Sequence, residues 1–199
     1  VSEGTLVEPG TYTVQMDYFV DGESTPLVDA KEFTVTLLDN TVLPAEDKEA
    51  KVRFQRDVAT LQGEISSYSR ILSEISEKIK YFEVAVLRLE RPIEELSSQM
   101  KKVKDDLRDI NILFYGDNVK RRLDMQQIPT PSSRVGIIAN EQKYSTASPT
   151  GTHVNSLKIA KEEFVPLKSR VDMLVKNVKS IEDKMKSLGA PYTPGRYEN

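Results

Sequence analysis

The stretch "VATLQGEISSYSRILSEISEKIKYFEVAVLRL", residues 58–89, repeats large apolar side chains at steps that alternate three and four. Val58, Leu61, Ile65, Tyr68, Leu72, Ile75, Ile79, Phe82, Val86 and Leu89 keep that rhythm without an error. It is the spacing of a helix that packs along one seam. Such a stripe cannot stay wet, because burying each large side chain is worth ~1.5–3 kcal/mol. Two more stretches share the rhythm. One is Ile93, Leu96, Met100, Val103, Leu107, Ile110 and Phe114. The other is Leu157, Ala160, Phe164, Leu167, Val171, Leu174, Val178, Ile181, Met185 and Leu188. The expected fold is mainly α, an antiparallel up-down bundle of three long helices plus a short one.

The first two seams keep register across Pro92, which would permit one helix of about 65 residues. Proline inside a helix costs ~3 kcal/mol but suits the first turn of a new one. Glu94 and Glu95 favour a helix N-terminus. The chain is therefore broken near Arg88–Pro92 and folded back. Helices are expected at about 46–88, 93–114, 132–143 and 153–188. Gly63 lies inside the first, where a close helix contact is plausible. Ser132 or Ser133 is placed to cap the short one, which carries Val135, Ile138 and Ala139. Pro166 should kink the last helix, and Gly189 followed by Pro191 should end it. Ile71, Val84, Leu87, Ile112 and Leu113 lie off the seams and are expected to pack the β element or the loop helix.

Residues 1–43 read in twos. Tyr12, Val14, Met16 and Tyr18 share one face of a half-buried strand, and Phe33, Val35 and Leu37 one face of a second. The pair makes a hairpin with a loose connection around residues 23–30. An isolated hairpin is marginal in water and leaves open edges. Either it packs on the helices, or it is the tail of a β-sandwich with further strands upstream. Large residues on both faces, with Phe19 opposing Tyr18, favour the second. Residues 44–190 form the helical region and 191–199 a tail.

The 199 residues are 38% hydrophobic and 30% charged, with a net charge of −3. That is the balance of a folded, helix-rich protein. A nucleic-acid footprint needs a clustered basic face. Lys101, Lys102 and Lys104 are followed at once by Asp105 and Asp106, so no nucleic-acid partner is expected. The absence of cysteine excludes disulfides, zinc ribbons and thiol nucleophiles. No apolar run approaches the ~20 residues of a membrane span. No cofactor is expected either, since Gly-rich phosphate loops are missing.

Candidate chemistry gathers on the connection between residues 116 and 153. It holds the single histidine, His153, together with Asp117 and Glu141. One histidine cannot build the paired Glu-x-x-His sites of di-iron bundles, and a zinc site would need three carboxylate partners. No Gly-x-Ser-x-Gly elbow is present. His153 is therefore read first as part of a helix entry, with Thr150 or Thr152 as N-cap. The adjacent acids Glu162-Glu163, Glu94-Glu95 and Asp105-Asp106 diverge on a helix and read as solvated faces. Tyr192 and Tyr197 are the tail's only candidates for stacking on a sugar ring.

"VEPGTYTVQM" (7–16), "LQGEIS" (61–66), "LFYGD" (113–117), "IPTPSSRVGIIA" (128–139), "ASPTGTH" (147–153), "AKEEFVPL" (160–167) and "GAPYTPGR" (189–196) occur in that order. In this the chain resembles the C-terminal end of large bacterial sialidase-like proteins, notably of Bacteroidetes. These carry BNR or sortilin-type β-propeller repeats and are grouped with glycosyl hydrolases. The resemblance implies that the hairpin is the remnant of an immunoglobulin-like sandwich, and that a parent β-propeller is the partner in cis. It implies a periplasmic, cell-surface or secreted location. Any hydrolase site would sit in the propeller, because the Ser-x-Asp-x-Gly-x-x-Trp box cannot occur without tryptophan. The leading expectation is a non-catalytic C-terminal module. A glycan-binding or hydrolase site on residues 116–153 and an oligomerising coiled coil are the alternatives.

Overall fold

In the computed structural model, residues 7–38, 43, 45–191, 193 and 194 are described. They are mostly helical. Four short strands precede five helices: β1 (Gly10–Val14), β2 (Asp17–Val20), β3 (Glu23–Pro26) and β4 (Lys31–Val35), then α1 (Lys48–Val86), α2 (Glu94–Tyr115), α3 (Asn118–Arg122), α4 (Pro131–Gln142) and α5 (Gly151–Ser187).

The three seams make the core. From Val58 to Phe82 every seam residue of α1 is buried except Tyr68, which is partly so. Leu96 to Phe114 are buried on α2 and Leu157 to Met185 on α5. At the end of α1 the seam shifts one residue: Ala85 is buried and Val86 only partly. Val135 and Ile138 complete the core from α4.

Direction follows from side-chain pairs. Lys161 reaches Asp57 at 2.6 Å, Lys168 reaches Glu64 at 2.9 Å, Tyr68 reaches Asp172 at 3.4 Å and Lys78 reaches Glu182 at 3.5 Å. Each pair is separated by 104 residues, so α1 and α5 run in the same direction in fixed register. The ionic rungs at 57, 64 and 78 fall at heptad positions, and the skipped position 71 is an isoleucine facing the core. Glu95 at the start of α2 pairs with Lys184 near the end of α5, while Tyr115 at its other end bonds Ser69.

The break between α1 and α2 lies where expected, although Pro92 precedes the N-cap residue Ile93 rather than opening the helix. Glu94 and Glu95 occupy the first turn. α4 is capped by Thr130, whose hydroxyl accepts from Ser133 N–H at 3.2 Å, and Pro131 takes the first helical position. The expected cap at Ser132 or Ser133 is thus two or three residues late. α3 was not expected: Asp117 caps it, yet five residues carry no seam to read. α5 continues through Pro166. The Glu162 carbonyl loses its helical donor there, but Glu162 is exposed to water. Gly189 (φ 71°) closes α5, with Ala190 N–H bonded to the Met185 carbonyl at 3.0 Å.

Two expectations are corrected at this level. A Cβ on Gly63 would meet nothing within 4 Å, so no close helix contact explains that glycine. Of the off-seam residues only Ile71 packs on the core. Val84, Leu87, Ile112 and Leu113 are exposed.

The hairpin differs more. The loose connection expected around residues 23–30 is instead partly strand, since β3 begins at Glu23, and Asp21 (φ 52°) and Gly22 (φ 89°) are a tight two-residue turn of the type whose twist suits a hairpin. β2 and β3 pair beside that turn and β1 and β4 pair beyond it, antiparallel. Leu27 N–H to the Met16 carbonyl, 2.8 Å, carries the ladder between them. In the outer pair Tyr12 faces Phe33 and Gly10 faces Val35, while Thr11 faces Thr34 and Thr13 faces Glu32. Val14 faces Lys31 at the far end, so one face is apolar but for that lysine and the other is polar. The apolar face is not buried: Val14 is 57% exposed and Phe33 50%. Of the strand faces expected to be half-buried, Tyr12 and Val35 are so, while Val14, Met16, Tyr18, Phe33 and Leu37 are exposed.

Candidate functional site

His153 lies where α1, α4 and α5 meet. Thr150 caps α5, its hydroxyl accepting from His153 N–H at 3.2 Å. The third helical position of such a cap usually holds Glu or Gln, whose side chain returns to the cap residue's N–H. Here the imidazole does that work: Nδ1 accepts from Thr150 N–H at 3.4 Å and lies 3.2 Å from Gln142 Nε2. With Nδ1 accepting, Nε2 carries the ring proton and donates it to Glu141 Oε2 at 2.6 Å. Gln142 is buried, and its backbone carbonyl accepts from Gln55 Nε2 at 3.3 Å. The Ala45 N–H bonds the Thr146 carbonyl at 2.9 Å, fixing the approach to α1 on the same junction.

Both imidazole nitrogens are therefore committed to holding an end of α5 against an end of α4. A general base needs a nitrogen free to face a substrate. A metal ligand needs companions, and no group of three or more His, Asp and Glu residues suited to a metal ion occurs among the described residues.

Of the three candidates the fold joins two. Glu141 touches His153; Asp117 belongs to another part of the molecule. Its Oδ1 caps α3, accepting from Val119 N–H at 2.8 Å and Lys120 N–H at 3.3 Å. Asp117 also borders a cavity of about 710 Å³ between the end of α2, the 126–131 segment and the middle of α5. Neither His153 nor Glu141 lines it. The candidates share the 116–153 connection in sequence, but α4, expected there at about 132–143 and found at Pro131–Gln142, holds them apart. Tyr197 and Tyr192 lie outside the described residues.

The residues that reading missed are Gln55 and Gln142, the buried amides of the junction. A signal existed: Gln55 precedes Val58 by three and follows Lys51 by four, so the seam rhythm runs on through polar residues. Lys51 is also buried and pairs with Glu8 at 2.8 Å, which ties the stem of the hairpin to the first turn of α1.

Titration is perturbed on the α1–α5 face instead. Burial, and then the negative charge of Asp172, raise the Tyr68 phenol above its ordinary value. The hydrogen bond to Glu64 raises Lys168. These are pairs along a helix face, not a convergent pocket.

Among the described residues no helix is long and apolar enough to cross a membrane. Comparison with protein-family models, with curated proteins and with solved structures found no match.

Proposed function

We propose that this chain is a non-catalytic structural or interaction module, the C-terminal part of a larger exported, sialidase-like β-propeller protein. In this reading the long helices form an antiparallel up-down bundle, with α2 and α4 together running against α1 and α5. The hairpin is the end of an immunoglobulin-like sandwich whose other strands cover Tyr12, Val14, Phe33 and Val35.

The observation that carries the reading is the division of the β1–β4 pair into a mainly apolar face and a threonine-rich face, with Val14 and Phe33 of the apolar face exposed and Tyr12 and Val35 only half-buried. Alternation of that kind belongs to a sheet packed on one side. Two strands bury too little to stand alone, so the cover must come from elsewhere. The commitment of both His153 nitrogens to a helix cap speaks against a hydrolase centre at that residue.

Amide hydrogen exchange tests it. The 199-residue chain is compared with a version extended upstream in its own reading frame. Amides of β1 and β4 should exchange rapidly in the short form and become protected in the long one, while α2 and α5 stay unchanged. Protection of the hairpin in the short form equal to that of the helical core would sink the proposal. So would glycosidase turnover by the short form that a single side-chain substitution abolishes.

A further inference from the structure

The cavity beside Pro166 is not used by the module reading. Its volume, about 710 Å³, lies within the ~300–1,000 Å³ typical of small-molecule sites. Leu113, Ile128, Pro131, Pro166 and Leu167 give it apolar walls. Ile128 among them is 82% exposed, and Leu113 43%.

Four charged residues border the same space: Asp117, Lys120, Glu163 and Arg170. The two acids are engaged. Asp117 caps α3 through Oδ1, and Glu163 faces Arg134, Oε2 to Nε, at 3.5 Å. The two cations are not. Among the described residues neither the Lys120 ammonium nor the Arg170 guanidinium has a hydrogen-bond or ion-pair partner. With Glu163 set against Arg134, two unpaired cations stand against the single carboxylate Asp117, and an apolar trough with that surplus of positive charge is complementary to a molecule with an apolar body and one negative end.

We propose that this cavity binds an amphipathic carboxylate, its alkyl chain along Leu113, Ile128 and Pro166 and its carboxylate held by Lys120 and Arg170. A charged end contributes beyond burial because each charge-assisted hydrogen bond is stronger than a neutral one. The proposal is independent of whether the chain belongs to a propeller protein.

Dodecanoate is titrated into the 199-residue chain below its micelle concentration, followed by calorimetry and by the methyl resonances of Leu113 and Ile128. Saturable one-to-one binding is expected, with both methyl groups shifted. Arg170→Gln and Lys120→Gln should each weaken it by about tenfold, the loss of one charge-assisted contact. Both side chains are exposed, so the fold should survive, and an unchanged helical circular dichroism signal checks this. Ile128→Glu, also at an exposed position, should abolish binding. Dodecanol should bind at least about tenfold more weakly than dodecanoate on the same argument. Equal affinity for the alcohol and the acid, indifference to both cation variants, or tighter binding of dodecylamine to Glu163 would each overturn the proposal. So would no binding at all.

Discussion

At the scale of single residues the chain's one histidine serves as a cap. A Thr150 hydroxyl alone would satisfy one orphan donor of α5; the imidazole at the third position satisfies a second. His153→Ala removes that acceptor and the Glu141 contact together, and should destabilise the protein by about 1 kcal/mol, the usual worth of a cap. His153→Gln keeps an acceptor that can return to Thr150 N–H, and should recover most of the loss. Urea unfolding of both variants measures this, and equal loss in the two would contradict the capping role. The sequence already placed a cap at Thr150 or Thr152, because Pro149-Thr150 precedes an apolar run. It could not show that His153 reaches Glu141, since a loop-to-helix distance depends on where α4 comes to rest. Gly63 teaches the opposite lesson. Its position inside a long helix suggested a tight contact, yet open space surrounds it.

At the scale of elements, α1 and α5 are joined by a ladder rather than by seam residues alone. Lys168 gains its proton affinity from Glu64, and Tyr68 keeps its proton through burial and the charge of Asp172. Both groups hold protons more tightly in the folded chain than in the unfolded one. Their contribution is therefore complete below their ordinary values, ~10.4 for lysine and ~10 for tyrosine, and is lost as pH rises through the higher folded values. Stability should hold level from about pH 7 to 9 and fall above about pH 10. The double variant Lys168→Gln, Tyr68→Phe should lower the alkaline slope, read from unfolding midpoints at successive pH values. A slope identical to that of the parent chain would show that the ladder does not matter. The seams on these helices were legible because period alone marks a buried face. The register of 104 was not, because it arises from α2, α3, α4 and the four connections between them, and no local rule sums these.

On the scale of the whole molecule, the helical part and the hairpin stand in different conditions. The helices bury their apolar stripes against one another, down to 0% exposure for Leu96 and Val171 and 1% for Leu174, Phe82 and Phe114. The hairpin holds its apolar residues in water, with Phe19 72% exposed. Alternation in the sequence announced a covered sheet, and the pattern was read correctly as a pattern. What covers a sheet is a property of neighbours, and a strand's own residues do not name them. This asymmetry has a measurable consequence. Leu174→Ala opens a cavity at the centre of the core and should cost about 2–5 kcal/mol. Phe33→Ala removes a larger side chain but loses only its stacking on Tyr12, whose ring centroid lies 6.0 Å away. In the 199-residue chain it should shift the unfolding midpoint of the helices by less than about 0.5 kcal/mol, as an exposed change does. If the hairpin is covered in a longer protein, the same Phe33→Ala should there cost about 3–5 kcal/mol, the usual loss for a buried phenylalanine. Thermal unfolding of the two variants in both lengths separates the possibilities. A large loss from Phe33→Ala in the short chain would mean that the hairpin already lies against the helices in solution.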